Sequence, residues 1–315
     1  MTAVELSTLS SRISLGSSQT FRNLMVVPLL DPSSPTAGWL TLDDALARGV
    51  TEITEVSEAG SVPQLRLLNR GDEPVFLLDG EELVGAKQNR ILNLSILAPG
   101  RTNLEIPVSC VEQGRWSWRA GGFSSGDRVI YAKLRRSNAE AVSGSLASTG
   151  DRRGDQGKVW DDIASKSVRM AVHSDTGAAS AIYERYREDL DEFVAGIEAA
   201  PGQVGAAFVV NGRFAGLDLL AGTDLLARLL PKLVRSYALD AIDGDEAGSR
   251  GGGSATEGMH AIESALQAVA HMTTASHPAI GSGKDLRLKG DGLVGGALIA
   301  EGALVHLGIW SVSYH

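Results

Sequence analysis

Two stretches, residues 88–97 and 104–112, alternate apolar and polar side chains on either side of Pro99-Gly100, and no other feature constrains the fold of this chain as tightly. Side chains alternate faces along a strand. The first stretch therefore puts Gln88, Arg90, Leu92, Leu94 and Ile96 on one face, and the second puts Leu104, Ile106, Val108, Cys110 and Glu112 on one face. A hairpin around Pro99-Gly100 sets Ile96 beside Leu104, Leu94 beside Ile106, Leu92 beside Val108, Arg90 beside Cys110 and Gln88 beside Glu112. At its far end this core-facing surface turns polar in both strands at once. Such an end is a pocket or a buried ion pair, because unpaired burial of Arg90 or Glu112 costs several kcal/mol.

Strand signals are dense throughout residues 64–118, where Asp79-Gly80 marks a tight turn after Val75-Phe76-Leu77-Leu78. Upstream, Leu24-Met25-Val26-Val27-Pro28-Leu29-Leu30 reads as a buried strand, and Thr41 with Asp44 makes a capping box for a short helix over 42–48. Residues 121–157 are rich in Gly, Ser and Arg with little periodicity and are expected to be partly mobile. Helices follow over 159–170, over 178–199 as one amphipathic unit, over 224–241 with an interruption at Pro231, and over 259–272. Residues 244–258 read as a flexible Gly/Ser loop, and hairpins are expected over 204–220 around Asn211-Gly212 and over 293–312. The segment around Asp79-Gly80 can be laid over those around Asn211-Gly212 and Glu301-Gly302, although apolar hairpins look alike by physics alone. The expected class is α+β: an antiparallel β-rich N-terminal part with later β-hairpins, packed by helices from the middle of the chain. One large domain over 1–315 is expected, with sub-parts 20–120 and 155–315.

The chain has 315 residues, 43% hydrophobic, enough for a sizeable core. A net charge of -9 argues against a general nucleic-acid binder, which needs a concentrated basic surface. Arg135, Arg136, Arg152 and Arg153 are interleaved with acids and read as a solvated loop. Cys110 is the single cysteine, so no internal disulfide forms. No apolar run suits a signal peptide or a membrane span, so a cytoplasmic protein with no membrane partner is expected.

The polar end of the hairpin supplies the candidate site. Glu81, Glu82 and Lys87 lead into Gln88 and Arg90, while Arg115 and Trp116 follow Cys110 and Glu112. Guanidinium groups suit phosphate, carboxylates suit sugar hydroxyls, and an indole suits a base. This assigns Lys87, Gln88, Arg90, Cys110, Arg115 and Trp116 to ligand binding, with Glu81, Glu82 and Glu112 as candidate general acids or bases. The competing reading is a structural Arg90–Glu112 salt bridge with Trp116 as a lid on the core. The six histidines show no ligand spacing, no metal site is expected, and no motif names a cofactor. Cys110 lacks a neighbouring histidine and reads as core rather than as a nucleophile.

Gly80-Glu81-Glu82-Leu83-Val84-Gly85-Ala86-Lys87-Gln88-Asn89-Arg90, followed by Ile106-Pro107-Val108-Ser109-Cys110-Val111-Glu112-Gln113-Gly114-Arg115-Trp116, resembles the ARG and rhodanese-phosphatase-superfamily-associated protein domain, a bacterial and archaeal family. Val159-Trp160-Asp161-Asp162-Ile163, Gly216-Leu217-Asp218-Leu219 and Ser236-Tyr237-Ala238-Leu239-Asp240 look like its later motifs. The resemblance implies a link to ADP-ribose or related phosphate chemistry. Three functions are therefore expected to compete: binding or processing of an ADP-ribose-like phosphorylated ligand, a self-assembling scaffold that forms a homo-oligomer, and hydrolysis of another phosphorylated small molecule.

Overall fold

A computed structural model describes residues 12–57, 63–115, 117, 122–245 and 255–314. The chain opens with β1 (Ser14–Leu15), β2 (Gln19–Phe21), β3 (Leu24–Leu30) and β4 (Leu40–Thr41), then α1 (Leu42–Ala47). Strands β5 (Thr51–Glu55), β6 (Gln64–Asn69), β7 (Val75–Leu77), β8 (Glu81–Gly85), β9 (Arg90–Leu92), β10 (Ile96–Ala98), β11 (Thr102–Cys110) and β12 (Phe123–Val129) follow. The middle of the chain holds α2 (Ala132–Thr149), α3 (Gln156–Arg169), α4 (Ala179–Arg185) and α5 (Arg187–Ala195). After β13 (Gln203–Val210) and β14 (Arg213–Leu220) come α6 (Thr223–Asp245), α7 (Ala255–Val269), β15 (Thr273–Pro278), β16 (Lys284–Lys289), β17 (Leu293–Ala300) and β18 (Ala303–Ser311). The fold is α+β. No helix among the described residues is long and apolar enough to cross a membrane.

A nine-stranded sheet runs β1-β3-β13-β14-β18-β17-β16-β15, with β2 also on β3. Alternation along its strands builds two cores. Leu24, Val26, Ala206 and Phe208 face α6, where Phe208 stacks on Tyr237 at 3.8 Å. Met25, Val27, Ala207 and Val209 face α7 through Ile262 and Leu266. A six-stranded sheet, β12-β8-β9-β11-β6-β5, wraps a third core around Ile53, Leu67, Leu83, Leu92 and Val108. Its edges approach each other, since a Cβ on Gly122 of the β12 side would lie 3.3 Å from the Ile53 carbonyl of β5. Strands β10, β7 and β4 form a separate three-stranded sheet.

The expected 88–112 hairpin exists at one end only. Leu92 pairs with Val108 and Arg90 with Cys110. Beyond Asn93 the chain leaves: β10 pairs with β7, and the first half of β11 pairs with β6, so Ile106 faces Leu65 and Leu104 faces Leu67. Apolar alternation on β6 is as good as that on residues 94–97, and periodicity does not say which strand wins.

The Asp79-Gly80 turn closes with Glu81 N–H donating to the Leu78 carbonyl, and Gly80 takes φ +76. It joins two sheets instead of making a hairpin, so the first of the three similar segments is not a repeat of the others. The other two are hairpins side by side, β14 on β18, with Asn211-Gly212 and Glu301-Gly302 both at positive φ.

Residues 121–157, expected to be partly mobile, instead hold β12 and the 18-residue α2. The expected helix over 178–199 is two, broken at Tyr186, whose φ of -108 and ψ of 22 leave the helical region. Pro231 does not interrupt α6. The Gly/Ser loop is shorter than expected, since α6 reaches Asp245 and α7 begins at Ala255, and residues 246–254 lie outside the described residues.

Candidate active site

Where the nine-stranded sheet meets α2 and the β9–β10 segment, five polar side chains converge: Asp79, Ser95, Arg135, Asp218 and His306. Asp218 is fully buried, Arg135 and His306 are 2% exposed, and Asp79 and Ser95 are 9% exposed. Each arrives from a different element. Asp79 is in the β7–β8 turn, where a Cβ on Gly80 would lie 2.9 Å from the Arg135 side chain. Arg135 is in the first turn of α2, whose Lys133 N–H donates to Asp240 of α6 at 3.0 Å. Asp218 and His306 share one face of β14 and β18, because Leu220 pairs with His306 and Asp218 with Gly308.

Glycines make the space. Directly opposite residues run Arg287–Gly296–Gly308–Asp218 across β16, β17, β18 and β14. Two side chains are missing from the middle of this row, and a cavity lies there, lined by Asp79, Ser95, Asp285, Arg287, His306 and Trp310. Counted over positions that water centres can take, it holds about 20 Å³, room for a water or two.

Arg135 forks onto both carboxylates. Nε and Nη2 donate to Asp79 at 3.1 and 3.0 Å, and Nη1 and Nη2 donate to Asp218 at 3.1 and 2.7 Å. Tyr237 Oη donates to Asp218 at 3.4 Å. Burial works against the charge of Asp218, but Arg135 and the bond from His306 outweigh it and hold the carboxyl at about 2. Burial also opposes the Arg135 charge, yet Asp218 and Asp79 raise its pKa well above the usual value.

Ser95 and His306 complete a relay. Ser95 Oγ lies 2.9 Å from His306 Nδ1, and His306 Nε2 lies 3.1 Å from Asp218 Oδ1. The ionised Asp218 accepts from Nε2–H, which leaves Nδ1 free to accept from the Ser95 hydroxyl, whose other acceptor is Asp79 Oδ1 at the longer distance of 3.3 Å. A nucleophile within hydrogen-bond reach of a base, itself oriented by a carboxylate, is the geometry of nucleophilic catalysis. Ser95 Oγ also accepts from Asp79 N–H at 3.0 Å, which fixes its position. Asp79, Asp218 and His306 bring ligand atoms within 4.8 Å of one another, as a metal ion would need. The Arg135 fork occupies both carboxylates, so a metal would have to displace it.

The residues singled out in the sequence come together elsewhere. Gln88 Nε2 donates to the Glu112 carbonyl at 2.9 Å, and its Oε1 accepts from Arg90 Nη1 at 2.9 Å and Cys110 Sγ at 3.0 Å. Glu112 pairs with Arg115 at 2.7 Å instead of with Arg90, and accepts from Thr176 Oγ1 at 3.0 Å. Arg115 also donates to the Ala86 carbonyl at 2.8 Å. Burial pushes the Cys110 thiol up, as for a core cysteine. Glu82 pairs with Arg128 at 2.8 Å, Glu81 with Lys232 at 2.8 Å, and Lys87 is buried at 7% exposure. Trp116 lies outside the described residues. This network fastens the β8–β9 turn to the end of β11 and lines neither the central cavity nor a wider groove of about 530 Å³ beside Asp31, Trp39 and Glu301.

Of the four arginines expected in a solvated loop, Arg135 is the most buried and Arg152 is half-buried beside Asp285. Arg136 caps the C-terminal strand by donating to the Ser311 carbonyl at 3.0 Å. Only Arg153 is solvated, with its side chain 67% exposed.

Residues 12–310 match the family model of the ARG and Rhodanese-Phosphatase-superfamily-associated Protein domain. The chain belongs to this family. Among curated proteins and solved structures, none matches it significantly. The stretches that resemble the family's motifs now have places. Gly216-Leu217-Asp218-Leu219 supplies the central carboxylate. Ser236-Tyr237-Ala238-Leu239-Asp240 ties α6 to the site: Ser236 Oγ donates to the Ile130 carbonyl at 2.7 Å, Tyr237 reaches Asp218, and Asp240 caps α2.

Proposed function

We propose that the protein hydrolyses a small phosphorylated molecule, with Ser95 as nucleophile, His306 as general base and acid, and Asp218 as the group that orients the imidazole. The observation that carries this is the continuous relay Ser95–His306–Asp218, at 2.9 and 3.1 Å, opening on a cavity that Asp79, Asp285 and Arg287 also line. Ser95 Oγ forms the bond to phosphorus while its proton passes to His306 Nδ1. The bond to the leaving alcohol breaks, and that alcohol takes the proton from His306. Water then attacks the phosphorus of the phosphoserine and gives a proton to His306, the bond from phosphorus to Ser95 Oγ breaks, and His306 returns the proton to Oγ as phosphate is released. Acid–base transfer of this kind contributes roughly 10²–10⁴-fold in rate. Phosphate chemistry is favoured by the family's description, which names a phosphatase superfamily, and by the arginine on the far side of the cavity.

The cavity is too small for a whole nucleotide. The diphosphate of an ADP-ribose-like substrate lies between its two ends, so such a substrate does not fit the cavity as it stands. Gln88, Arg90, Glu112 and Arg115 are bonded among themselves and to neighbouring backbone, which weighs against the ligand role expected for them.

Phosphate release from acetyl phosphate, glycerol 3-phosphate and ribose 5-phosphate, and release of AMP and ribose 5-phosphate from ADP-ribose, test the reading. Turnover of at least one is expected, with a loss of about 100-fold or more in Ser95→Ala, in line with the loss of a nucleophile. Turnover that survives in Ser95→Ala, or no release from any of the four, would refute it.

A further inference from the structure

The far wall of the cavity carries groups that the relay does not use. Trp310 is 3% exposed, and its Nε1–H is buried without a hydrogen-bond partner. A buried donor left without an acceptor is costly, and a ligand oxygen would satisfy it. Its ring is braced by the Arg135 guanidinium 5.0 Å from the centroid. Beside it, Arg287 directs Nε and Nη2 to Asp285 Oδ1. Its Nη1 makes no hydrogen bond among the described residues. Arg152 Nε lies 3.5 Å from Asp285 Oδ2, and neither atom is hydrogen-bonded.

Charge is divided across the cavity. On the relay side, Asp79 and Asp218 face Arg135, leaving one negative charge. On the far side, Arg152 and Arg287 face Asp285, leaving one positive charge. A substrate oxyanion is repelled from the first side and drawn to the second. The cavity as it stands has room for a water or two, so it admits one oxygen of a phosphoryl group without movement of its walls.

We infer that Trp310 Nε1 and Arg287, with Arg152 behind them on Asp285, form an oxyanion subsite that holds the phosphoryl group of the substrate against Ser95. The inference rests on the hydrolase reading for the identity of the molecule that brings the phosphate. Gly296 is part of the subsite because it has no side chain: a Cβ there would lie 3.0 Å from the Arg287 guanidinium carbon.

Calorimetric titration with inorganic phosphate, at constant ionic strength against acetate and chloride, is the test, run on the wild-type chain and on Ser95→Ala. Saturable phosphate binding is expected in both, at least 10-fold weaker in Trp310→Phe, which keeps the ring and removes the donor. Gly296→Ala, whose Cβ would press on the Arg287 guanidinium from the floor of the cavity, is expected to lose binding. Equal phosphate affinity in wild type and both variants, or no binding up to 10 mM, overturns the subsite. Phosphate binding lost in these variants without turnover of any substrate keeps the subsite and sinks the hydrolase. Turnover with phosphate affinity unchanged in the variants does the reverse.

Discussion

Arg135 is the residue on which most of the site depends. Its guanidinium is fully buried and is the cation held between Asp79 and Asp218. A buried charge whose partner is removed costs about 3–5 kcal/mol. Arg135→Met leaves two carboxylates facing each other, so a loss of about that size is expected in urea unfolding. Wild-type stability in that variant would mean that the pair is already neutralised by protons. Arg135→Lys is expected to fall between the two, because an ammonium cannot fork onto two carboxylates. Little in the local sequence marks this residue. Helix α2 buries Arg135, Ser137 and Asn138 along with Leu134 and Val142, so its inward stripe is partly polar and the usual apolar period is absent. Asp218 and His306 were more legible: each is a polar residue on the inward face of an apolar strand, with Gly216 and Gly308 as same-face neighbours. That pattern of charge and glycine is the signal that a reading centred on residues 88–112 passed over.

Local rules hold well within single elements. Thr41 caps α1, accepting from Asp44 N–H at 3.2 Å while the Asp44 carboxylate accepts from Thr41 N–H at 3.3 Å. Thr41→Ala is expected to cost about 1 kcal/mol, read as a shift in the urea midpoint. No change would mean that α1 is held by the Leu42 and Ala45 packing alone. Where an element must be cut, local rules do less well. The apolar face expected over residues 178–199 is real, since Ile182, Leu190 and Phe193 are all buried. Tyr186 ends α4, and its hydroxyl donates to the Met170 carbonyl at the end of α3 at 3.0 Å. In the same way residues 88–97 divide at Asn93, whose side chain accepts from Ser109 Oγ at 2.7 Å and donates to the Arg152 carbonyl at 3.0 Å.

For the whole molecule, the buried pairs set the response to acid. Asp218 ionises at about 2 when folded, against 3.8 unperturbed. A folded value below the unfolded one stabilises fully above about pH 4 and is lost as pH falls toward 2. The contribution is about 2 kcal/mol, taking one pKa unit as 1.36 kcal/mol. Asp243 and Glu112 are also lowered: burial raises each, and bonds from Arg169 and Arg115 outweigh it. Glu82 has the opposite sign, since burial raises it, and its ionisation costs stability as pH rises through the carboxylate range. The thermal midpoint is therefore expected to fall between pH 4 and 2, and Asp218→Asn to show a shallower fall. An equally steep fall in that variant would assign the acid response to other carboxylates.

The sequence by itself determined the α+β class, the apolar strands, the Thr41 capping box, the hairpins at Asn211-Gly212 and Glu301-Gly302, and the pairing of Arg90 with Cys110. These follow from side-chain alternation, turn residues and capping, which act over a few residues. Tertiary structure alone decided that β10 leaves β11 for β7, that Glu112 pairs with Arg115, and that Asp79, Ser95, Arg135, Asp218 and His306 meet. Periodicity reports which way a side chain faces, not what stands opposite. The five residues come from five elements spread over most of the chain, and only the packing of two sheets against α2 brings their charges within hydrogen-bond distance.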